Sequence, residues 1–324
     1  MTINLTRSPS RSALLALALT ICASLCGPAQ AQLKVVATLP DLGALAKELG
    51  GERVELTTLA LATEDPHFVD ARPSYLVALS RAELLILNGM ELEDAWLGPL
   101  IINSRNAQIQ RGTLGWLDAS LALSQRLEVP AGAVDRSQGD VHALGNPHYS
   151  YDPRAMLEVA RLIRDRLCQL DAEGCEAVRE RHERWARELS AYVSDAQSRF
   201  AKLKRRDVVV YHRSWSYFAQ WLDLSLIAEV EPKPGIPPSP AHVARLVKRM
   251  KSERSPVLLQ ESYQPTRSSK VIAQLTKAQL LTPVPQVKLR EGERYLERLK
   301  RVTEPLYQAL LAAQPTVAPS EVQE

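Results

Sequence analysis

Three histidines in this chain stand where side chains do chemistry: His67 in "EDPHFVDARPS", His148 in "GNPHYSYDP" and His212 in "VVVYHRSW". The first follows a strand-like run, the second precedes a helical pattern near Pro153, and the third ends a strand-like run. Neutral imidazole is the commonest side-chain ligand for zinc and suits other late first-row metals, and three imidazoles with one oxygen make a tetrahedral set. The same set with an open position would activate water for hydrolysis, with Glu261 as base. The plainer reading of each is a loop histidine that caps or packs. Spacing alone leaves these open, because it does not show whether the three rings converge. Against hydrolysis, the chain has no HExxH or GxSxG pattern, and it also lacks the GxxxxGK[ST] phosphate loop.

The elements that must position these residues follow an α/β rhythm. "LKVVATL", "VELTTLAL" and "ELLILNG" alternate with "DLGALAKELG" and "LEDAWLGPLIINS", and the alternation returns after residue 206 in "DVVVYH", "LSLIAEV", "PVLLQE" and "AQLLTPV". This predicts two α/β halves with mostly parallel sheets. Strand ends and loops entering helices, where the three histidines lie, are where open α/β sheets bind ligands. Between the halves, Val178, Trp185, Leu189, Tyr192, Val193, Ala196, Phe200 and Leu203 recur at helical spacing, predicting one helix over 173–204 as a rigid connector. His182 is expected on the solvated face of that helix. "EVEPKPGIPPSPAH" reads as a stiff loop, with Ser239 capping the next helix, Pro240 opening it and His242 in its first turn. The domain reading is therefore a 32–172 lobe, a 173–204 connector, a 205–312 lobe and a frayed tail over 313–324.

The first 31 residues carry Arg7, Arg11, an apolar run and "GPAQAQ", a cleavable signal peptide pattern. The mature chain is expected free in the periplasm, since Cys22 and Cys26 lack a lipoprotein context. Its formal charge falls from +3 to +1 on loss of the two arginines, which calls for neither nucleic acid nor membrane. Cys168 and Cys175 then remain, and an oxidising compartment favours pairing them; free thiols or a metal site are the alternatives.

Taken together and in this order, "EDPHFVDARPSYLVALSRAELLILNGMELEDAWL", "GNPHYSYDP", "VVVYHRSWSYFAQWL" and "EVEPKPGIPPSPAH" resemble the metal-binding solute-binding proteins of bacterial zinc and manganese ABC importers, the periplasmic zinc-uptake type of cluster A-I. The resemblance implies two α/β lobes joined by one long rigid helix, with the metal in the cleft between them. It implies His67, His148 and His212 as ligands, Pro66 and Phe68 holding the first loop, and Arg72, Pro73 and Ser74 starting the helix behind it. The family's late carboxylate ligand has no aspartate counterpart in "LLTPVPQVKLREGERYLERL". Glu261 is the best remaining carboxylate, with Glu291, Glu293 or water as alternatives. Of the long His- and acid-rich loop of many relatives only "DRSQGDVHALG" remains, with Asp135, Asp140 and His142. The implied function is capture of Zn2+ and delivery to an ABC permease, as a monomer and not as an enzyme, with a periplasmic metallochaperone as a second candidate partner. Manganese binding, a zinc hydrolase and an adhesion protein on the same scaffold are the other readings. Three nitrogen donors favour zinc.

Overall fold

The inner strands are short runs rich in valine, leucine and isoleucine that bury both faces, the pattern of a parallel sheet covered by helices on each side. The computed structural model describes residues 32–135, 139 and 141–315; the expected leader, Asp140 and the end of the tail lie outside them. Leu33–Ala37 (β1), Val54–Thr58 (β2), Leu84–Leu87 (β3) and Trp116–Asp118 (β4) form one parallel sheet in the order β2-β1-β3-β4. Asp207–Val210 (β5), Ser225–Glu229 (β6), Val257–Leu259 (β7) and Gln279–Leu281 (β8) form a second, in the order β6-β5-β7-β8. The two sheets thus share one topology, and in each the order reverses beside the first strand, where a crevice opens at the carboxyl ends.

Pro40–Gly50 (α1), Pro73–Arg81 (α2), Leu97–Ser104 (α3) and Pro153–Leu170 (α4) belong to the first lobe. Ser216–Leu222 (α6), Pro240–Glu253 (α7) and Thr266–Thr276 (α8) belong to the second. Asp152 caps α4 by accepting from the Arg154 amide, and Ser239 caps α7 by accepting from that of His242, each just before a proline whose fixed φ suits the first helical turn.

Cys175–Ala201 (α5) links the lobes; its 27 residues span about 40 Å. It packs against α4 and α1 of the first lobe and α6 of the second. Its buried stripe includes His182, which is 6% exposed and lies with Nδ1 3.5 Å from the Arg164 guanidinium of α4. The expectation of a solvated His182 is corrected here. The series Val178, His182, Trp185, Leu189 steps by four, three and four residues, which places the histidine on the apolar stripe among them. Cys168 and Cys175 are joined as a disulfide across the turn from α4 into α5.

A second bridge was not legible in the sequence. Tyr295–Ala312 (α9) follows the last strand of the second lobe yet reaches back to the first. Arg294 pairs with Glu48 of α1 at 2.9 Å, and Arg298, fully buried, lies over the Tyr151 ring at 4.6 Å. One apolar core runs from β1 through α5 to α9, and a smaller one lies beneath α7 and α8 around Val209, Leu246, Met250 and Ile272. At the chain's end, Gln314 accepts from the Lys204 amide at 2.7 Å. No helix among the described residues is long and apolar enough to cross a membrane.

Candidate metal centre

The carboxyl ends of both sheets face one another, and the loops leaving them carry the three histidines. His67 lies in the loop between β2 and α2. That loop is held by the Trp96 indole, which donates to the Pro66 carbonyl at 3.0 Å, and by the Tyr75 hydroxyl, which donates to the Leu59 carbonyl. Phe68, expected to help hold this loop, instead projects outward at 63% exposure; Pro66 is buried and accepts through its carbonyl.

His148 is placed through a chain of buried hydrogen bonds that begins at Glu93. The Glu93 carboxylate accepts from Thr38 Oγ1 at the end of β1 and from the amides of Asn88 and Gly89 at the end of β3. Burial nevertheless pushes its pKa up to about 7, against those three donors. Asn88 Nδ2 donates to the Pro147 carbonyl at 3.0 Å, and the Asn146 side chain accepts from the His148 amide at 2.9 Å. Asn146 also crosses to the other lobe, its Nδ2 donating to the Arg213 carbonyl at 2.8 Å. His212 lies two residues beyond the end of β5.

These three rings converge. Their centroids lie 5.0 Å (His67 to His148), 5.7 Å (His67 to His212) and 5.3 Å (His148 to His212) apart. Each offers one nitrogen such that all three nitrogens lie within 4.8 Å of one another, and all three residues are buried. Three ligand nitrogens about 2.1 Å from one tetrahedral ion sit roughly 3.4 Å apart, so small side-chain movements close the set. The Nε2 atoms of His67 and His148 are buried with no hydrogen-bond partner. Buried polar atoms are almost always satisfied, so orphaned imidazole nitrogens aimed at a common point are what an ion would satisfy.

Two carboxylates fix which nitrogen is offered. Asp65 Oδ1 lies 2.7 Å from His67 Nδ1, and Glu231 Oε2 lies 2.8 Å from His212 Nδ1. In both rings Nε2 is left for the ion, an arrangement that orients a ligand and raises its basicity. Burial opposes the charge on Asp65, but its hydrogen bond and attraction to His67 outweigh that and hold its pKa below the ordinary carboxylate value. His212 is likewise raised: burial works against the charged ring, and Glu231 and Glu261 overcome it. His148 is driven well below the ordinary histidine value by burial first and then by His67 and His212. The sequence held a signal for Asp65, two residues before His67, and none for Glu231, which reaches His212 from the loop after the neighbouring strand β6.

The other expected residues fall elsewhere. Glu261 is fully buried just beyond β7, accepts from Ser214, and burial pushes its pKa up to about 7 despite the opposing pull of His212 and Ser214. It is not in the group of donor atoms formed by the three histidines. Glu291 pairs with Lys288, and Glu293 with Arg301. Asp135 lines an open cleft of about 720 Å³ together with His67 and His142. The His142 ring stacks on His67 at 5.4 Å, and burial with the neighbouring His67 and His212 rings lowers its pKa to about 4.

Comparison with known proteins matches this arrangement to one family. The family described as zinc-uptake complex component A, periplasmic, matches residues 35–309. A protein of Treponema pallidum (strain Nichols) described as metal-binding is 25% identical over 286 residues, 86% of this chain and 87% of that one. The manganese ABC transporter substrate-binding lipoprotein of Streptococcus anginosus is 23% identical, over 83% of this chain and 86% of that one. The crystal structure of a protein named ZnuA superposes with a TM-score of 0.72 at 23% identity, covering 86% of this chain and 99% of that one, which shows the shared fold.

Proposed function

Because the chain belongs to the zinc-uptake component A family, the divalent-metal solute-binding proteins of ABC importers, we propose that it captures Zn2+ outside the cytoplasm and hands it to an importer permease. The family is one of solute-binding proteins and not of enzymes. The carrying observation is the donor set. His67, His148 and His212 act as ligands through three converging imidazoles, with no carboxylate oxygen among the group. Manganese prefers oxygen donors and lies low in the affinity order for such sites, so this chemistry supports zinc even though the Streptococcus anginosus relative is named for manganese. The leader over residues 1–31 and the disulfide support a periplasmic setting.

Protons compete with the ion for the same nitrogens. His212, whose apo pKa is raised, takes up its proton first as pH falls, beginning above the ordinary value of about 6.5. Zinc affinity should therefore be flat at alkaline pH and fall about tenfold per pH unit once His212 titrates. Glu231→Gln removes the partner that raises His212. It should weaken zinc binding by about 10- to 100-fold at pH 8 and move the onset of the decline to lower pH. Competition titrations across pH read both effects, and an unchanged onset in the variant would exclude this role for Glu231.

Release by wide lobe opening is disfavoured by the connections across the cleft. Besides α5 and α9, the Leu127 amide donates to the Tyr217 hydroxyl at 3.0 Å, and Ser216 Oγ donates to Glu128 at 2.6 Å. Local loop movement then admits and releases the ion. Solution scattering should show nearly the same radius of gyration with and without zinc, and a large contraction on zinc addition would contradict this.

A further inference from the structure

Three imidazoles leave a tetrahedral ion one position short, and two of the carboxylates near them are engaged. Asp65 and Glu231 hold the Nδ1 atoms of His67 and His212, and Glu231 also accepts from the Gly235 amide at 3.1 Å. Glu261 accepts from Ser214 through Oε1, while its Oε2 is buried without a partner; like His142, it lies outside the group of three donors. One further imidazole lies against the trio. His142 stacks on His67 with 29° between the ring planes, at a centroid distance within the range that the three ligand rings show among themselves. Its Nε2 is buried and has no hydrogen-bond partner. The side chain also lines a second cavity, of about 250 Å³, whose walls include His148 and His212. His142 therefore shares the walls of both cavities with the trio: with His67 in one, and with His148 and His212 in the other.

The backbone around it is built to hold a ring at this place. The Ala143 amide donates to Glu91 Oε2 at 2.6 Å, and a turn closes from the Gly145 amide to the His142 carbonyl at 3.2 Å. Gly145 adopts φ 101°, and a Cβ there would meet the Leu127 carbonyl oxygen at 2.8 Å, so the turn takes glycine only. This anchored turn sets the His142 ring 5.4 Å from that of His67.

Resting on the importer reading above, we infer that His142 is the fourth ligand of the bound metal, completing a set of four imidazole nitrogens. His67, His148 and His212 are fixed by their hydrogen bonds and the rigid lobes. His142 is the movable member, first to leave when the ion is handed on. Four nitrogens without an oxygen donor sharpen the preference for zinc over manganese beyond what three provide.

X-ray absorption at the zinc edge counts imidazole ligands directly. The zinc-loaded protein should show four imidazoles, and His142→Ala should show three with one oxygen while still retaining one equivalent of zinc. His142→Gln should behave like His142→Ala, and apo melting of both variants checks that the fold is kept. Cobalt-loaded protein should change its visible spectrum on the same substitutions. Three imidazoles in the unsubstituted protein, with spectra and zinc affinity indifferent to residue 142, would overturn the inference and leave the importer reading intact. A protein that takes up no zinc, or retains it equally after His67→Ala, would overturn both.

Discussion

His67→Ala is expected to abolish the stabilisation that zinc confers. An ion held across two lobes at a thousandfold excess over its dissociation constant stabilises the folded state by about 4 kcal/mol. For a protein of this size that is a rise in Tm of roughly 10 °C. The substitution also removes the Nδ1 hydrogen bond to Asp65, which should cost about 1–3 kcal/mol with or without zinc. The loop backbone stays held from Trp96 and Tyr75, and Nε2 makes no hydrogen bond in the apo protein. Thermal melting of both proteins with and without zinc separates the two effects. An equal zinc-induced shift in the variant would remove His67 from the site.

Arg298→Met is expected to produce the largest loss of stability. Arg298 and Asp41 are both fully buried, with Nη2 3.7 Å from Oδ2, and they join α9 to the first turn of α1. Arg298 Nε also donates to the Pro285 carbonyl and Nη1 to that of Ser150, two residues from His148. Asp41 Oδ1 accepts from the Val287 amide at 2.7 Å. Removing the guanidinium leaves a buried carboxylate without its counter-charge, which costs about 3–5 kcal/mol. The double substitution Asp41→Leu with Arg298→Met should recover much of that loss, because apolar replacement of a whole buried pair is often close to neutral. Urea unfolding measures both. A single-variant loss below about 1 kcal/mol would show that the pair does not join the lobes as described.

Local order was the most readable part of this chain. Runs such as "LLIL" and the "VVV" of β5 are apolar throughout because a parallel sheet is covered on both faces, and the helix starts at Pro40, Pro73, Pro153 and Pro240 are written in the sequence. What escaped is contact between distant segments. β4 is three residues long and has too little sequence to show a period. The bridging of the lobes by α9 depends on Glu48 and Asp41, 246 and 257 residues before their partners Arg294 and Arg298. Phe68 is large and apolar and expected to hold its loop, yet it is exposed and lines the open cleft.

The centre divides the same way. The motifs around His67, His148 and His212 were legible because each combines a histidine with the proline or aromatic residues of a strand-end loop, and their convergence appears only when the two sheets face each other. Glu231 could not be assigned from spacing, since its partner His212 lies on a different strand end, 19 residues away. Glu261 was read from its place beyond β7, and that placement is correct; its side chain turns to Ser214.

The central claim is that the inter-lobe histidines hold zinc in preference to manganese, and one competition experiment tests it most directly. Apo protein is mixed with equal excesses of zinc and manganese, passed through a desalting column, and its bound metal measured beside His67→Ala and His148→Ala. One zinc per chain with no manganese in the unsubstituted protein, and neither metal in the variants, is the predicted result. Stoichiometric manganese, or zinc that persists when both His67 and His148 are lost, would contradict it.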